Sequence, residues 1–429
     1  MRNVPEAGNS ASNARDSSSW QMRATTIPRA GPTSTHLGTG WEAPRPWLVV
    51  WALALGHFTV DLYSGAVGAL QPFLVERLGL SLTQVGLIGG LFAFASSVCQ
   101  PLFGLVADRL RTPVFVVLAP FVAGVLISSL PLAPGFEVVL ILAAIGGSAV
   151  AAFHPQASAS VAASGYLGHG SRMALFLSSG TLGLSVGPTY VSLASKIVPL
   201  EQFYQVALPG ALVTALLMVV RSGARMAVPE RVSWEPLRAS ARPIALLSLL
   251  VVLRSVLQTS MGQFLPLYLH LERGLSISEA NYALTLFMGA GAIGGFTGGW
   301  LADRIGPRRV IRVSMATTVP LFLLFLMTKG LLSFVCLALS GFFLLLTIPV
   351  MVVMAQQRVP THAATVAALT MGFAWGTAGM VFVPMVGWAA DRWTLAKVFP
   401  MLGAFPALGL IIESRLTEPK EQNPYGGRT

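Results

Sequence analysis

The sequence is poor in charge and in cysteine, and both shortages limit what the protein can be. Charged residues make up only 10% of the chain and hydrophobic residues 54%, whereas an average soluble domain has about 25% charged residues. The composition therefore excludes an ordinary soluble domain and indicates a membrane protein. The two cysteines, Cys99 and Cys336, both fall inside predicted helices. We therefore expect no disulfide and no cysteine-ligated metal.

The chain also has little that would support catalysis or signalling. It contains no HExxH zinc motif, and no segment outside its apolar runs is long enough to form a soluble signalling domain. We therefore expect neither an intramembrane enzyme nor a membrane sensor, and no cofactor.

Long apolar runs dominate what is present. Runs of about 20 residues, the length needed to cross a bilayer, recur from residue 47 onward. They predict an all-α membrane protein with twelve transmembrane helices. The predicted spans are 47–70, 83–106, 113–132, 136–156, 172–194, 202–220, 243–266, 278–301, 309–328, 331–354, 363–388 and 396–413.

The net charge of +11 would also suit a nucleic-acid-binding protein, so the positions of the 28 lysine and arginine residues matter. Most of them lie in the two tails, in the central linker and in loops on the same side of the membrane. This asymmetry follows the positive-inside rule. It predicts cytoplasmic N- and C-termini in a cell inner membrane, and no nucleic-acid partner. The few basic residues expected outside are Arg77, Lys196, Arg273, Lys329, Arg392 and Lys397.

Two motifs occur twice, at intervals that differ by one residue. A glycine four residues before an Asp-Arg pair occurs at Gly104 and Gly299, and the pattern GTxGxxxxP begins at Gly180 and Gly376. Each interval is close to half the chain, as expected for the internal repeats of secondary transporters. The fold we predict is therefore two pseudo-symmetric six-helix bundles.

This repeat sets the domain boundaries. Residues 1–46 are polar and lack an apolar signal-peptide core, so we expect a disordered cytoplasmic tail. The bundles are predicted at 47–220 and 243–413, joined by a basic cytoplasmic linker at 221–242. A second cytoplasmic tail follows at 414–429.

The glycine and proline residues of the second motif allow helices to approach closely and to bend. We expect both packing and motion at these positions. They are Gly180, Gly183, Gly187, Pro188, Gly376, Gly379 and Pro384.

The first motif suggests a cytoplasmic clamp between the halves. Asp108 closes the C-terminal end of its helix, where the helix dipole disfavours a carboxylate, so a cation or another helix start should hold it. The alternative is a solvated charge pair worth under about 1 kcal/mol. Gly387, Asp391 and Arg392 form a similar pattern on the outer side, either as an outer gate or by chance. The clamp residues are Gly104, Asp108, Arg109, Gly299, Asp303, Arg304, Gly306, Arg308 and Arg309.

Three ionisable residues are predicted deep inside helices. His57 and Asp61 lie four residues apart on one face of the first helix, and Arg254 lies near the middle of the seventh. Charges at this depth are costly unless they face protein or water, so we assign them to function. The alternatives are a packing hydrogen bond for Asp61, a bond from His57 to a nearby carbonyl, and a fixed Asp61–Arg254 ion pair.

Four further polar residues are weaker candidates for the wall of a substrate cavity. Gln258 lies one turn after Arg254, and Gln71 and Tyr63 follow Asp61 on the first helix. His154 lies near the inner end of the fourth helix, either in the substrate site or as a satisfied polar residue.

The turn from Gly299 to Arg309 is similar to the GxLADRxGRR signature of the major facilitator superfamily, with Pro307 in place of a basic residue. Within that superfamily the chain resembles the fosmidomycin-resistance group over residues 47–413. It differs from the group at Gln156, where the group tends to have Glu, and at Leu177 and Thr181, where it tends to have amides. The matching stretches are His57 to Asp61, Ser96-Ser97-x-x-Gln100-Pro101, Phe153-His154-Pro155, His169-Gly170 and Gly187-Pro188.

This resemblance implies a major facilitator fold and efflux of a small drug-like or anionic compound driven by inward proton flow. Asp61 would load and release protons with help from His57, and Arg254 would attract the anion. We expect the cavity between helices 1, 4, 5, 7, 10 and 11. A proton-coupled importer of an organic anion is the alternative. The expected partners are a small-molecule substrate, protons and the lipid bilayer, and we expect a monomer.

Overall fold

The computed structural model describes residues 46–109, 112–164, 169–220, 235–359 and 363–416, and within these ranges it is helical, without β-strands. Most of the two predicted tails and residues 221–234 of the predicted linker lie outside them. Twelve long helices occur in the described ranges. They are α1 (Pro46–Leu78), α2 (Leu82–Ala107), α3 (Val114–Leu132), α4 (Phe136–Ala163), α5 (His169–Ala194), α6 (Leu200–Val220), α7 (Ala241–Glu272), α8 (Ile277–Ile305), α9 (Pro307–Met327), α10 (Gly330–Arg358), α11 (Thr365–Trp393) and α12 (Leu395–Glu413).

These helices confirm the twelve spans. Eleven of the helices in the described ranges are long and apolar enough to cross a membrane, and α5, the helix of the first GTxGxxxxP copy, has 26 residues. Several helices extend past the predicted ends, α1 to Leu78 and α7 to Glu272, because helical structure continues beyond the apolar core that hydropathy detects.

The two halves begin their second helices in the same way. The turn before α2 contains Gly79 at φ 63°, and the turn before α8 contains Gly274 at φ 70°. Ser81 and Ser276 then cap the two helices, each in a capping box with the residue three positions later. These turns are a third repeated feature, and they add structural support to the two pseudo-symmetric bundles.

Helices from each half cross to the other half. Within the halves α1 packs on α5 and α7 packs on α11, while across the interface α2 packs on α11 and α8 packs on α5. A Cβ atom at Gly86 would lie 2.8 Å from the carbonyl oxygen of Val383, so α2 approaches α11 backbone to backbone. Near this contact both helices contain a π-helical segment, at Phe94–Val98 and Ala368–Phe373.

The repeated glycines mark these close contacts. A Cβ atom at Gly183 or Gly187 would overlap the backbone of α1 at Phe58 or Leu62. In the second copy, a Cβ at Gly376 would lie 2.8 Å from Cβ of Ser97, and one at Gly379 2.7 Å from Cβ of Ala93, both on α2. The motif therefore brings α5 against α1 and α11 against α2.

Candidate functional site

Asp61 lies between two histidines. Its Oδ2 is 3.3 Å from Nε2 of His57, one turn away on α1, and its Oδ1 is 3.5 Å from Nε2 of His154 on α4. The Asp61 side chain is 18% exposed and that of His154 22%. The group is therefore largely but not completely buried. The sequence placed His57 and Asp61 together but did not connect either of them with His154.

Backbone carbonyl groups fix the two imidazole rings, one from the neighbouring helix α5 and one from α4 itself. Nδ1 of His57 donates to the carbonyl of Phe176 at 2.7 Å, and the two rings stack with centroids 4.2 Å apart. Nδ1 of His154 donates to the carbonyl of Val150, also at 2.7 Å. A Cβ atom at Gly180 would overlap the His57 ring and lie 2.7 Å from Oδ2 of Asp61. Glycine at this position therefore makes room for the cluster.

The three side chains of the cluster converge. Among the described residues, ring nitrogens of His57 and His154 and a carboxylate oxygen of Asp61 lie within 4.8 Å of one another. Each carboxylate oxygen faces one ring nitrogen, an arrangement that suits shared protons.

Arg254 is buried, and no carboxylate of the described residues pairs with it. It is 3% exposed, and its guanidinium donates to Oε1 of Gln258 at 2.7 Å and to Oγ of Ser255 at 2.9 Å. Its Nε is buried without a hydrogen-bond partner. No described acid lies within ion-pair distance of Arg254, so the fixed Asp61–Arg254 pair considered from the sequence is absent. Asp61 is instead held within its own half.

A mostly apolar cavity of about 100 Å³ lies between the halves. Gln258 connects it to Arg254, and Gln263, which the sequence did not single out, donates to the carbonyl of Val85 across the interface at 3.0 Å. Helices α1, α5, α7 and α11 line the cavity as expected, but α2 and α8 take the places expected for α4 and α10. They do so because they cross the interface. The lining includes Ser64, Gly68, Phe92, Leu184, Pro188, Thr259, Met288, Trp375 and Val383.

Tyr63 and Gln71, like His154, lie outside this lining. The Tyr63 hydroxyl accepts from the Gly210 amide and donates to the carbonyl of Val206, so it holds the start of α6. Gln71 is fully buried and donates to the carbonyl of Val67 in its own helix. Gln156 is the position at which the sequence differs from the fosmidomycin-resistance group. Its side-chain amide accepts from the backbone amide of Val116 and donates to the carbonyl of Thr112 at the start of α3, which gives it a structural role.

The predicted clamp lies at the end of the bundle that carries the turns after α2 and α8, here called the basic end. The two repeat glycines have matching environments, since Gly104 faces Pro155 of α4 and Gly299 faces Pro349 of α10. Gly306 has φ 89° between α8 and α9, a conformation that favours glycine. The side chain of Asp108 and residues 110–111 lie outside the described residues.

The charged residues of the second clamp copy contact described residues of their own half. Asp303 is exposed and forms no ion pair with any described residue, while Arg304 lies over the ring of Trp300 at 3.9 Å. Arg308 instead pairs with Glu413 of α12 at 3.1 Å, and Arg309 is exposed. Among the described residues, the contacts found for this copy lie within its own half.

Polar contacts across the interface gather at the opposite end, which carries the turns before α2 and α8. Asp391 at the end of α11 accepts from the amides of Leu82 and Thr83 at 2.8 Å each. Glu76 lies 2.9 Å from Nε2 of His270. The Gly387–Asp391–Arg392 pattern therefore corresponds to a real contact between the halves at Asp391.

Comparison with known proteins identifies the family of this chain. A model of the Major Facilitator Superfamily matches residues 53–384 of this chain. The chain belongs to the Major Facilitator Superfamily. It is therefore a multi-pass membrane transporter for small molecules and not an enzyme, and its twelve helices in two pseudo-symmetric bundles are the fold of that superfamily.

Two curated relatives match most of the chain. The fosmidomycin resistance protein of Escherichia coli (strain K12) is 28% identical over 395 residues, which cover 89% of this chain and 95% of the relative. The uncharacterized MFS-type transporter YfnC of Bacillus subtilis (strain 168) is 28% identical over 381 residues, covering 85% and 91%. The resemblance of the sequence motifs to the fosmidomycin-resistance group is thus confirmed over nearly the whole length.

Solved structures of other transporters share the fold. A bacterial homolog of the human lysosomal transporter Spinster, in an inward-facing and unoccupied conformation, has a TM-score of 0.76 at 15% identity, covering 86% of this chain and 96% of that one. The nucleoside transporter NupG has a TM-score of 0.70 at 13% identity, covering 87% and 100%. At such low identity these similarities establish the fold alone.

Proposed function

We propose that this transporter exports a small anionic, drug-like compound from the cytoplasm in exchange for protons. The observation that carries the proposal is Arg254, a buried guanidinium that has no acidic partner among the described residues and donates to Gln258 in the cavity wall. A buried cation of this kind is unfavourable unless an anion compensates it. The similarity to a fosmidomycin resistance protein supports a phosphonate such as fosmidomycin as the first compound to test.

The proton site in this proposal is Asp61 with His57, in the other half. Histidine is the side chain that ordinarily changes charge near neutral pH, and the carboxylate of Asp61 lies where it would stabilise the protonated His57 ring. Binding of the substrate anion at Arg254 and occupation of the Asp61 site by the proton exclude each other across the cavity, so that substrate binding releases the proton. This coupling is what an exchanger requires.

The contacts at the two ends support alternating access. Polar contacts between the halves occur at the opposite end, through Asp391 and Glu76, whereas at the basic end the described residues show Arg304 over Trp300 of its own helix and no ion pair of Asp303. We assign the basic end to the cytoplasm on the positive-inside rule, so this conformation is open inward. The bundles at 47–220 and 243–413 would rock about the cavity as a monomer, connected by the 221–242 linker.

Transport by membrane vesicles tests the direction and the coupling. Inside-out vesicles with an acidic interior should accumulate fosmidomycin, and dissipating the pH gradient with a protonophore should stop the accumulation. The Asp61→Asn variant should lose the response to the gradient. Accumulation driven only by a gradient of the reverse sign would identify a proton-coupled importer instead and contradict the proposal.

A further inference from the structure

Backbone carbonyl groups determine which nitrogen of each imidazole is free in the His57–Asp61–His154 cluster. Nδ1 of His57 bonds the carbonyl of Phe176, and Nδ1 of His154 bonds the carbonyl of Val150, both at 2.7 Å. A carbonyl oxygen only accepts hydrogen bonds, so both Nδ1 atoms carry their proton. In a neutral ring of this tautomer, Nε2 is an unprotonated acceptor.

Both of these acceptor atoms face Asp61. Nε2 of His57 lies 3.3 Å from Oδ2, and Nε2 of His154 lies 3.5 Å from Oδ1. An ionised carboxylate also only accepts, so without added protons two nitrogen lone pairs point at two oxygen atoms that repel them. One added proton, on either partner, makes only one of these contacts attractive. Two protons are needed to make both attractive.

No other described charge takes part in the cluster. Its surroundings on α4 and α5 are Phe153, Phe176 and Gly180, and Arg254 on α7 bonds residues of its own helix. The ion pairs of Asp61 are those with the two histidines. The cluster therefore carries one negative charge when empty and one positive charge with two protons bound.

We propose that His57, Asp61 and His154 form one site that takes up two protons, with His154 an equal partner of His57, so that each transport cycle carries two protons. One proton binds Nε2 of each ring and forms an imidazolium facing Asp61, and both return to water on the cytoplasmic side. The use of these protons in exchange rests on the proposed function. The capacity of the site is a property of the protein alone.

Nitrogen NMR of the purified protein tests this capacity without a substrate. With ¹⁵N-labelled histidine, and signals assigned from His57→Gln and His154→Gln variants, both rings should carry their proton on Nδ1 at alkaline pH. Both should gain a second proton on acidification, and each titration should change in the Asp61→Asn variant. A ring with its proton on Nε2 at alkaline pH, or a ring that never gains a second proton, would overturn the two-proton site.

Transport kinetics test the stoichiometry. In proteoliposomes loaded with fosmidomycin, the logarithm of the efflux rate should rise as the external pH falls, with a slope near two per pH unit for the unchanged protein and near one for His154→Gln. Glu137→Gln, which removes an exposed acid from the first turn of the same helix, should keep the slope near two. A slope near one in the unchanged protein would overturn the inference and leave proton-driven efflux intact.

Two further outcomes separate the inference from its alternatives. If fosmidomycin does not move with protons at all, the proposed function fails, and the NMR titration still decides the proton capacity. If the purified protein retains one equivalent of a divalent metal and loses both NMR titrations until a chelator removes it, the cluster is a metal site and the two-proton proposal is wrong.

Discussion

Asp391 caps the first turn of α2 from the other half of the protein, accepting hydrogen bonds from both the amide and the hydroxyl of Thr83. The carboxylate also accepts from the amide of the preceding residue. It therefore occupies the N-terminus of a helix, where free amides and the helix dipole favour a negative charge. Any opening of this end of the transporter must break these bonds.

Replacing Asp391 with alanine should weaken the closed opposite end. The bonds are charge-assisted, and without them the helix amides have no partner. We therefore expect the free-energy difference between the closed and open forms to shift by about 1–3 kcal/mol towards the open form. Spin labels at positions Arg77 and Lys397, in a background without Cys99 and Cys336, would report this opening. The distance between the two labels should show an additional, longer component. Glu279→Gln is the control, since Glu279 caps α8 within its own half. An unchanged distance distribution in Asp391→Ala would exclude a gate at this contact.

The Gly180→Ala variant should disable the cluster without unfolding the protein. A Cβ atom there would overlap the His57 ring and crowd Asp61, and such overpacking costs about 1–3 kcal/mol. We expect efflux to fall at least about tenfold, measured in vesicles at equal protein level. Gly289→Ala on α8, where an added Cβ meets no atom within 4 Å, should keep full activity. Equal activity in the two variants would show that the cluster tolerates the added methyl group.

The Arg254→Gln variant should raise the KM for fosmidomycin about tenfold or more. A hydrogen bond to a charged group contributes about 1.5–3 kcal/mol, and 1.4 kcal/mol corresponds to a factor of ten. Arg254→Lys should recover part of the affinity, because it keeps the charge but not the planar donor group. Arg242→Gln, at the exposed start of the same helix, is the matched control. Unchanged affinity in Arg254→Gln would remove the anion site from this residue.

Much of the fold was predictable from the sequence because the bilayer requires long apolar helices. Hydropathy and the two glycine motifs located all twelve helices and the duplication. A third repeat was missed, although Gly79 and Ser81 stand at the same interval from Gly274 and Ser276. It was missed because a short turn with a capping serine is common in any helical protein.

The candidate site was only partly predictable. His57 and Asp61 belong together because they are one turn apart, whereas His154 joins them through the packing of α4 against α1. The cavity wall depended on which helices cross between the halves, and Gln263 became visible only through its bond to Val85. Equal depth along equivalent helices suggested a contact between Asp61 and Arg254. Depth alone does not determine whether two side chains turn towards each other.

The exchange of proton for anion is the central claim, and proton release on substrate binding tests it most directly. Purified protein in a weakly buffered detergent solution near neutral pH should release protons into the medium when fosmidomycin is added. A pH-sensitive dye would count them. The account predicts release in the unchanged protein and binding without release in Asp61→Asn. Saturable binding to the unchanged protein with no released proton would contradict it.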